Sequence, residues 1–187
     1  MRVIAGTAKG RTLVAVPGES TRPITDRVKS ALFSILGSAE MIQGCRWLDL
    51  FAGTGSVGIE ALSRGAAEAV FCERDRAALQ VLRRNLETTG LAARAEVVTG
   101  DAFAYLARPV LAAFQLVYIA PPQYRGLWLQ ALSAVDARPE LLGPDGQAVI
   151  QIFPKEWLEP ELLHLSLFDR RQYGSTALCF FGRREGS

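Results

Sequence analysis

From residue 46 onward, short apolar runs alternate with segments of helical periodicity, and this alternation constrains the fold more than any other feature. Strands are predicted over residues 47–51, 69–73, 95–98, 114–119 and 147–153. Helices are predicted over 56–63, about 75–89 (ended by Gly90), briefly after Asp101, and near 126–135. The strands are continuously apolar, as when helices cover both faces of a sheet. Repeated βα units mean an α/β chain with a doubly wound, mostly parallel sheet. Pro144-Asp145-Gly146 reads as the turn into the last parallel strand. The two ends depart from the pattern. Residues 164–168 and 176–181, linked through Arg170, Arg171 and Gly174, predict an antiparallel hairpin at one sheet edge. Residues 2–6 and 12–17 read as an N-terminal β-hairpin stopped by Pro17-Gly18. A helix over 25–36 follows, with Val28, Ala31, Leu32, Ile35 and Leu36 on one stripe, Thr25 as N-cap and Gly37 as stop. The layout is therefore an extension over residues 1–20 and one larger domain over 21–187.

The strongest local signal is Trp47-Leu48-Asp49-Leu50-Phe51-Ala52-Gly53-Thr54-Gly55-Ser56-Val57-Gly58. It is a strand, a glycine loop and a helix start, with Glu73 ending the next strand twenty residues after Gly53. Such a loop brings backbone close to a nucleotide or nucleoside, and an acid at the next strand end can accept ribose hydroxyls. Asp49 discriminates between ligands. A pyrophosphate on this helix start would meet a carboxylate at close range, whereas a cationic amine would be attracted. S-adenosylmethionine fits and NAD or FAD fits poorly, although Asp49 could also brace the loop. Gly100-Asp101-Ala102 follows the third strand, where an Asp can hold an adenine amine or simply cap a helix.

Charge and composition narrow the class. With 187 residues, 49% hydrophobic and 21% charged, the chain can build a core without staples. Cys45, Cys72 and Cys179 show no CxxC spacing, which argues against a disulfide scaffold or zinc finger and fits a reducing cytoplasm. Cys72 reads as packing. No His/Cys/Asp cluster suggests a metal, and His164 lacks the neighbours of a catalytic triad. There is no signal-peptide core and no apolar run that could cross a bilayer, so a cytoplasmic protein without membrane contact is expected. Residues 1–46 hold seven Lys/Arg against three Asp/Glu, a local +4 in a chain of net +2. Arg2, Lys9, Arg11, Arg22, Arg27 and Lys29 make this a phosphate-binding face or a merely basic surface. Trp47 reads as core; Trp128 and Trp157 could face solvent, RNA or core.

These residues resemble a known group. The chain resembles class I S-adenosylmethionine-dependent methyltransferases, and more closely the RsmD family of bacterial guanine-N2 methyltransferases acting on small-subunit (16S) ribosomal RNA. The resemblance rests on Arg2 to Gly6 with Lys9-Gly10-Arg11, and on Thr21-Arg22-Pro23-Ile24-Thr25-Asp26-Arg27-Val28-Lys29-Ser30-Ala31-Leu32-Phe33. It continues through Asp49 to Gly55, Gly58-Ile59-Glu60-Ala61-Leu62-Ser63-Arg64-Gly65-Ala66, and Tyr173-Gly174-Ser175-Thr176-Ala177-Leu178. It implies a Rossmann-like fold with S-adenosylmethionine as cofactor, held by Asp49, Phe51, Gly53, Thr54, Gly55, Glu73, Arg74, Asp101 and Ala102. It implies that Arg2, Lys9, Arg11, Arg22 and Arg27 grip ribosomal RNA or the small subunit. A monomer is expected.

One motif departs from the family pattern of Asp or Asn, two prolines and an aromatic after the fourth strand. Here the stretch is Ala120-Pro121-Pro122-Gln123-Tyr124. In the pattern, the acid and the first proline carbonyl accept the two N–H bonds of the target amine, and the aromatic stacks on a base taken out of its helix. Ala120 accepts nothing, and losing one such contact lowers a rate on the order of 10²–10³-fold. Three readings are open. Gln123 and Tyr124 could supply the acceptor and the stacking face one residue later. The chain could bind cofactor and RNA yet transfer methyl slowly or not at all. Ala120 could be an introduced change. A methyltransferase of a small molecule or protein is a further alternative.

Overall fold

The computed structural model describes residues 1–16 and 24–184. Pro17, Gly18, Thr21, Arg22 and Pro23 therefore lie outside the described residues. Helix α1 spans Asp26–Ser38, followed by β1 (Arg46–Asp49), α2 (Ser56–Ser63), β2 (Glu68–Glu73), α3 (Arg76–Thr89), β3 (Ala95–Thr99) and α4 (Ala102–Leu106). Then come β4 (Phe114–Ile119), α5 (Leu127–Asp136), β5 (Leu142–Ile152), β6 (Leu165–Tyr173) and β7 (Thr176–Arg183). The seven strands form one sheet in the order β3-β2-β1-β4-β5-β7-β6. β1 to β5 pair in parallel, and β7 runs antiparallel to both β5 and β6. This is the doubly wound sheet with an antiparallel end that the βα alternation predicts.

Two apolar layers sandwich the sheet. One gathers Leu32, Phe33 and Leu36 of α1, Ile59 and Leu62 of α2, and Leu82 and Leu86 of α3 against Trp47 and Phe71. The other packs Leu106 of α4 and Trp128, Leu132 and Val135 of α5 against Leu48, Val117 and Phe181. Strands covered on both sides cannot alternate polar and apolar, hence their continuous apolar sequence. Trp47 is core, as read from sequence, and so is Trp128, which stacks on Trp157 at 5.7 Å. All three cysteines are buried and free. No helix among the described residues is long and apolar enough to cross a membrane.

The N-terminal hairpin is short, an antiparallel bridge between Arg2 and Thr12 flanked by bonds from the Val3 amide to the Arg11 carbonyl and from the Leu13 amide to the Met1 carbonyl, each 2.9 Å. The backbone between the two arms has other partners. The amides of Ile4 and Ala5 donate to the Glu60 carboxylate (2.8 and 3.0 Å), Thr7 donates to the Ser63 carbonyl (2.8 Å), and Ala8 to Ser63 Oγ (2.9 Å). The segment is thus laid along α2 and contributes Val3, Ala8 and Leu13 to the core. Contact is so close that a Cβ on Gly6 would sit 1.8 Å from the Ser63 oxygen. Lys29, counted in the basic face, is fully buried instead. Its Nζ donates to the Arg2 carbonyl (2.7 Å) and to Ser56 Oγ (3.1 Å) and lies 3.5 Å from Glu60 Oε2.

Three element boundaries also move. α1 runs through Gly37 and ends at the Ala39 cap. Pro144-Asp145-Gly146 is an irregularity inside β5, between the pairs Phe114–Leu142 and Leu116–Gln147, because Pro144 has no N–H for the ladder. Arg170 and Arg171 lie within β6, opposite Cys179 and Leu178, and His164 just precedes that strand. The hairpin closes through Gly174-Ser175 alone, with Tyr173 paired to Thr176 and Gly174 at φ +59°.

Candidate active site at the carboxyl edge of the sheet

The order β3-β2-β1-β4 places the carboxyl ends of these strands side by side, and chain direction across the sheet reverses between β1 and β4. Ligands of open α/β sheets sit at such a reversal. Asp49 is the last residue of β1 and Glu73 the last of β2. Asp101 lies just past β3, and Ala120 directly follows β4. Gly55 begins α2 in the left-handed conformation (φ +77°) without a side-chain cap. A Cβ there would meet Leu82 at 2.2 Å, and one on Gly58 would meet the Phe71 ring at 2.3 Å. The loop therefore lies close to α3, and α2 lies close to β2, in a way only glycine permits.

Asp49 is 2% exposed, and burial, reinforced by the nearby Glu73 charge, pushes its carboxyl up to about 7. The nearby backbone of Phe51 and Gly58 acts in the other direction. Its Oδ1 is buried with no hydrogen-bond partner among the described residues. An acceptor left bare in a dry site is expensive, so a donor or a cation is what this carboxylate lacks.

The Glu73 carboxylate is already engaged. Oε2 accepts from the Gly53 amide at 2.8 Å, and Oε1 accepts from the amides of Arg74 and Asp75, each at 2.8 Å. By lone-pair count, Oε2 keeps one open position. Two ribose hydroxyls would require the Gly53 bond to give way. Asp101 caps α4 through Oδ1, which accepts from Phe103 (2.9 Å) and Ala104 (3.2 Å). Its Oδ2 lies 3.9 Å from Arg74 Nη1. Ala102 is buried, and the rings of Phe51 and Phe103 meet edge-on at 6.4 Å. Phe103 was not among the residues read from sequence; an aromatic two positions after the strand-end acid is the signal for it.

Beyond β4, Ala120 and Pro121 are half-buried, and Pro122, Gln123 and Tyr124 are exposed. Tyr124 takes a left-handed conformation (φ +61°), rare for a residue with a Cβ. Its amide donates to Glu156 Oε2 at 2.7 Å, and its ring, 69% exposed, lies 5.7 Å from that of Phe153. Glu156 and Phe153 follow β5 and carry no local motif, so only the β4–β5 pairing brings them here. Asn85 is a further residue the sequence does not mark. Fully buried on α3, it accepts from the Val14 amide (2.8 Å) and donates to the carbonyls of Val14 (3.1 Å) and Thr54 (3.0 Å).

Of the basic residues, Arg2, Lys9, Arg11 and Arg27 are exposed. Arg2 lies 3.5 Å from Asp26, and Arg11 donates to the Thr88 carbonyl at 3.3 Å. The bridge between Arg2 and Thr12 keeps the first three on one short fold-back of chain.

Residues 1–182 match the family described as conserved hypothetical protein 95. The chain is 38% identical over 186 residues to the Bacillus subtilis protein YlbH, provisionally named an rRNA methyltransferase, covering 98% of this chain and 100% of that one. It is 40% identical over 136 residues to ribosomal RNA small subunit methyltransferase D of Escherichia coli K12, covering 73% and 67% of the two chains. Among solved structures, the Escherichia coli protein yhhF, provisionally named a methyltransferase, superposes with a TM-score of 0.84 at 34% identity, covering 98% and 97% of the chains. A Salinibacter ruber RNA methyltransferase in complex with S-adenosyl-L-homocysteine shares the fold at a TM-score of 0.64 and 17% identity, covering 89% and 96%. With nearly its whole length matched, the chain belongs to the conserved hypothetical protein 95 family, the RsmD family.

Proposed function

We propose that this protein transfers a methyl group from S-adenosylmethionine to the N2 amine of a guanine in small-subunit ribosomal RNA. The observation that carries the cofactor assignment is the buried Asp49 Oδ1, which has no hydrogen-bond partner among the described residues. A cationic amino-acid end satisfies it, and a pyrophosphate would be repelled. Glu73, the edge of Asp101 and the rings of Phe51 and Phe103 form a polar and apolar border suited to adenosine. Bound there, S-adenosylmethionine supplies an electrophilic methyl group on its sulfonium. The chain's contribution is placement. Pro121 offers its carbonyl to one N–H of the target amine, and Tyr124 offers an exposed ring for stacking. Arg2, Lys9, Arg11 and Arg27 hold phosphates, and the relatives named for rRNA methylation support RNA as the substrate.

Labelled methyl transfer to unmodified ribosomal RNA and to small subunits, followed by nucleoside identification, tests the reading. N2-methylguanosine is expected, and transfer only to protein or small molecules overturns it. One observation favours a second reading: Ala120 has no polar side-chain atom where the family carries an acid or amide. A cofactor- and RNA-binding protein of low activity would show cofactor binding without turnover on either substrate.

A further inference from the structure

The carboxylate of Glu156 has one oxygen in use and one without a partner. Oε2 accepts the Tyr124 amide at 2.7 Å, while Oε1 is buried and has no hydrogen-bond partner among the described residues. Tyr124 is held at φ +61° with a ring that is 69% exposed and backed by Phe153 at 5.7 Å. Strained backbone beside a bare acceptor is a pattern of recognition sites rather than of stable turns. Once the exposed Pro122–Tyr124 turn shifts enough to uncover Oε1, a base stacked on Tyr124 would bring its hydrogen-bonding edge to this carboxylate. The chemistry of the acceptor then selects the base. Guanine carries two adjacent donors on that edge, N1–H and the N2 amine. Adenine and cytosine place a ring-nitrogen acceptor beside their amine, which a carboxylate repels. Uracil flanks its single N–H with two carbonyl oxygens, which are repelled as well.

We propose that Glu156 is a specificity-determining residue, presenting Tyr124 with Oε2 and accepting guanine N1–H with Oε1. The inference rests on the reading of the protein as a guanine-N2 methyltransferase and deepens it. It gives the site a base-reading carboxylate from the end of β5, in a chain that has Ala120 after β4. N2 then remains free to bond the Pro121 carbonyl and face the methyl donor. A neutral amide in place of the carboxylate keeps the Tyr124 contact but cannot offer two equivalent acceptor oxygens.

The test is Glu156→Gln, assayed with unmodified ribosomal RNA and small subunits. kcat/KM for N2-methylguanosine formation is expected to fall on the order of 10²-fold. The melting temperature and the affinity for S-adenosylmethionine should stay at wild-type values. A rate within twofold of wild type overturns the inference while leaving the methyltransferase reading intact. Wild-type protein that forms no N2-methylguanosine overturns both. Tyr124→Ala, alone and combined with Glu156→Gln, keeps the test decisive if the single variant loses stability. Both residues act on one base, so the combined loss should be smaller than the product of the single losses. Multiplying losses overturn the inference.

Discussion

Asn85 Nδ2 donates to the carbonyl of Thr54 at 3.0 Å, tying helix α3 to the middle of the glycine loop. The same side chain exchanges two hydrogen bonds with Val14. On the other side of the loop, Lys29 Nζ joins the Arg2 carbonyl to Ser56 Oγ. The N-terminal fold-back and the glycine loop are therefore fastened together at two buried points. Arg2, Lys9 and Arg11 ride on the same piece of structure that positions Gly53 to Gly55.

Replacing Asn85 by Ala strands the amide and carbonyl of Val14 and the carbonyl of Thr54. Leaving buried backbone groups without partners costs about 1–3 kcal/mol each before solvent relaxes in. A loss on the order of 2–3 kcal/mol in urea unfolding is expected, with weaker binding of both S-adenosylmethionine and RNA. Unchanged affinity for both would mean the fastening has no bearing on the site.

The pH dependence follows from Asp49. Its folded-state value, raised to about 7 from 3.8, lies above the unfolded one. The group's stability contribution is fully present below about pH 4 and is lost as pH rises through about 7. Asp49→Asn should therefore unfold at higher urea than wild type at pH 8.5, with the gap closing toward pH 5. A cation at Oδ1 favours the ionised form, so wild-type affinity for S-adenosylmethionine should strengthen from pH 6 to 8, by at most about tenfold per unit. Titration calorimetry in buffers of differing ionisation enthalpy reads the accompanying proton release, and a pH-independent affinity contradicts the assignment.

Ala120→Asp restores an acceptor beside Pro121. The single-turnover rate of methyl transfer to rRNA should rise on the order of tenfold or more, within the range one active-site polar contact supplies. Cofactor affinity should be unaffected. Rapid-quench kinetics separates these, and a slower variant would show that Ala120 is suited to a different placement of the amine.

Glu60 binds the Ile4 and Ala5 amides, Lys29 and Arg64 at once, and is fully buried. Glu60→Ala leaves Lys29 as a buried charge without its carboxylate, a change that costs about 3–5 kcal/mol. Hydrogen exchange at Ile4 and Ala5 should accelerate well beyond the loss seen in the sheet. Equal acceleration everywhere would mean that the fold-back does not detach locally.

Lys9→Ala and Arg11→Ala should each weaken RNA binding and reduce the salt slope of log affinity by about one phosphate contact. Arg27→Ala should do the same. A binding series between low and physiological salt measures this, and slopes equal to wild type would remove these residues from the RNA face.

What the sequence determined by itself is whatever is local. Apolar runs of strand length, helical stripes, the Thr25 and Asp101 caps and the glycine spacing each report on a few neighbouring residues, and they place α1 to α5 and β1 to β4 within a few residues. They also place Asp49, Glu73, Asp101 and Ala120, because strands laid parallel must bring their carboxyl ends to one edge. Only the tertiary structure decided what those groups touch. Lys29 looks like a surface charge on an amphipathic helix until α2 supplies Glu60 and Ser56 to receive it. The predicted hairpin keeps its cross-strand bonds only around the Arg2–Thr12 bridge, because Glu60 and Ser63 take the amides of Ile4, Ala5, Thr7 and Ala8. Asn85 and Glu156 carry no motif at all. Their roles come from hydrogen bonds to residues 71 and 32 positions away in the chain. Local patterns encode torsions and burial, whereas long-range hydrogen bonds exist only once separate elements have packed.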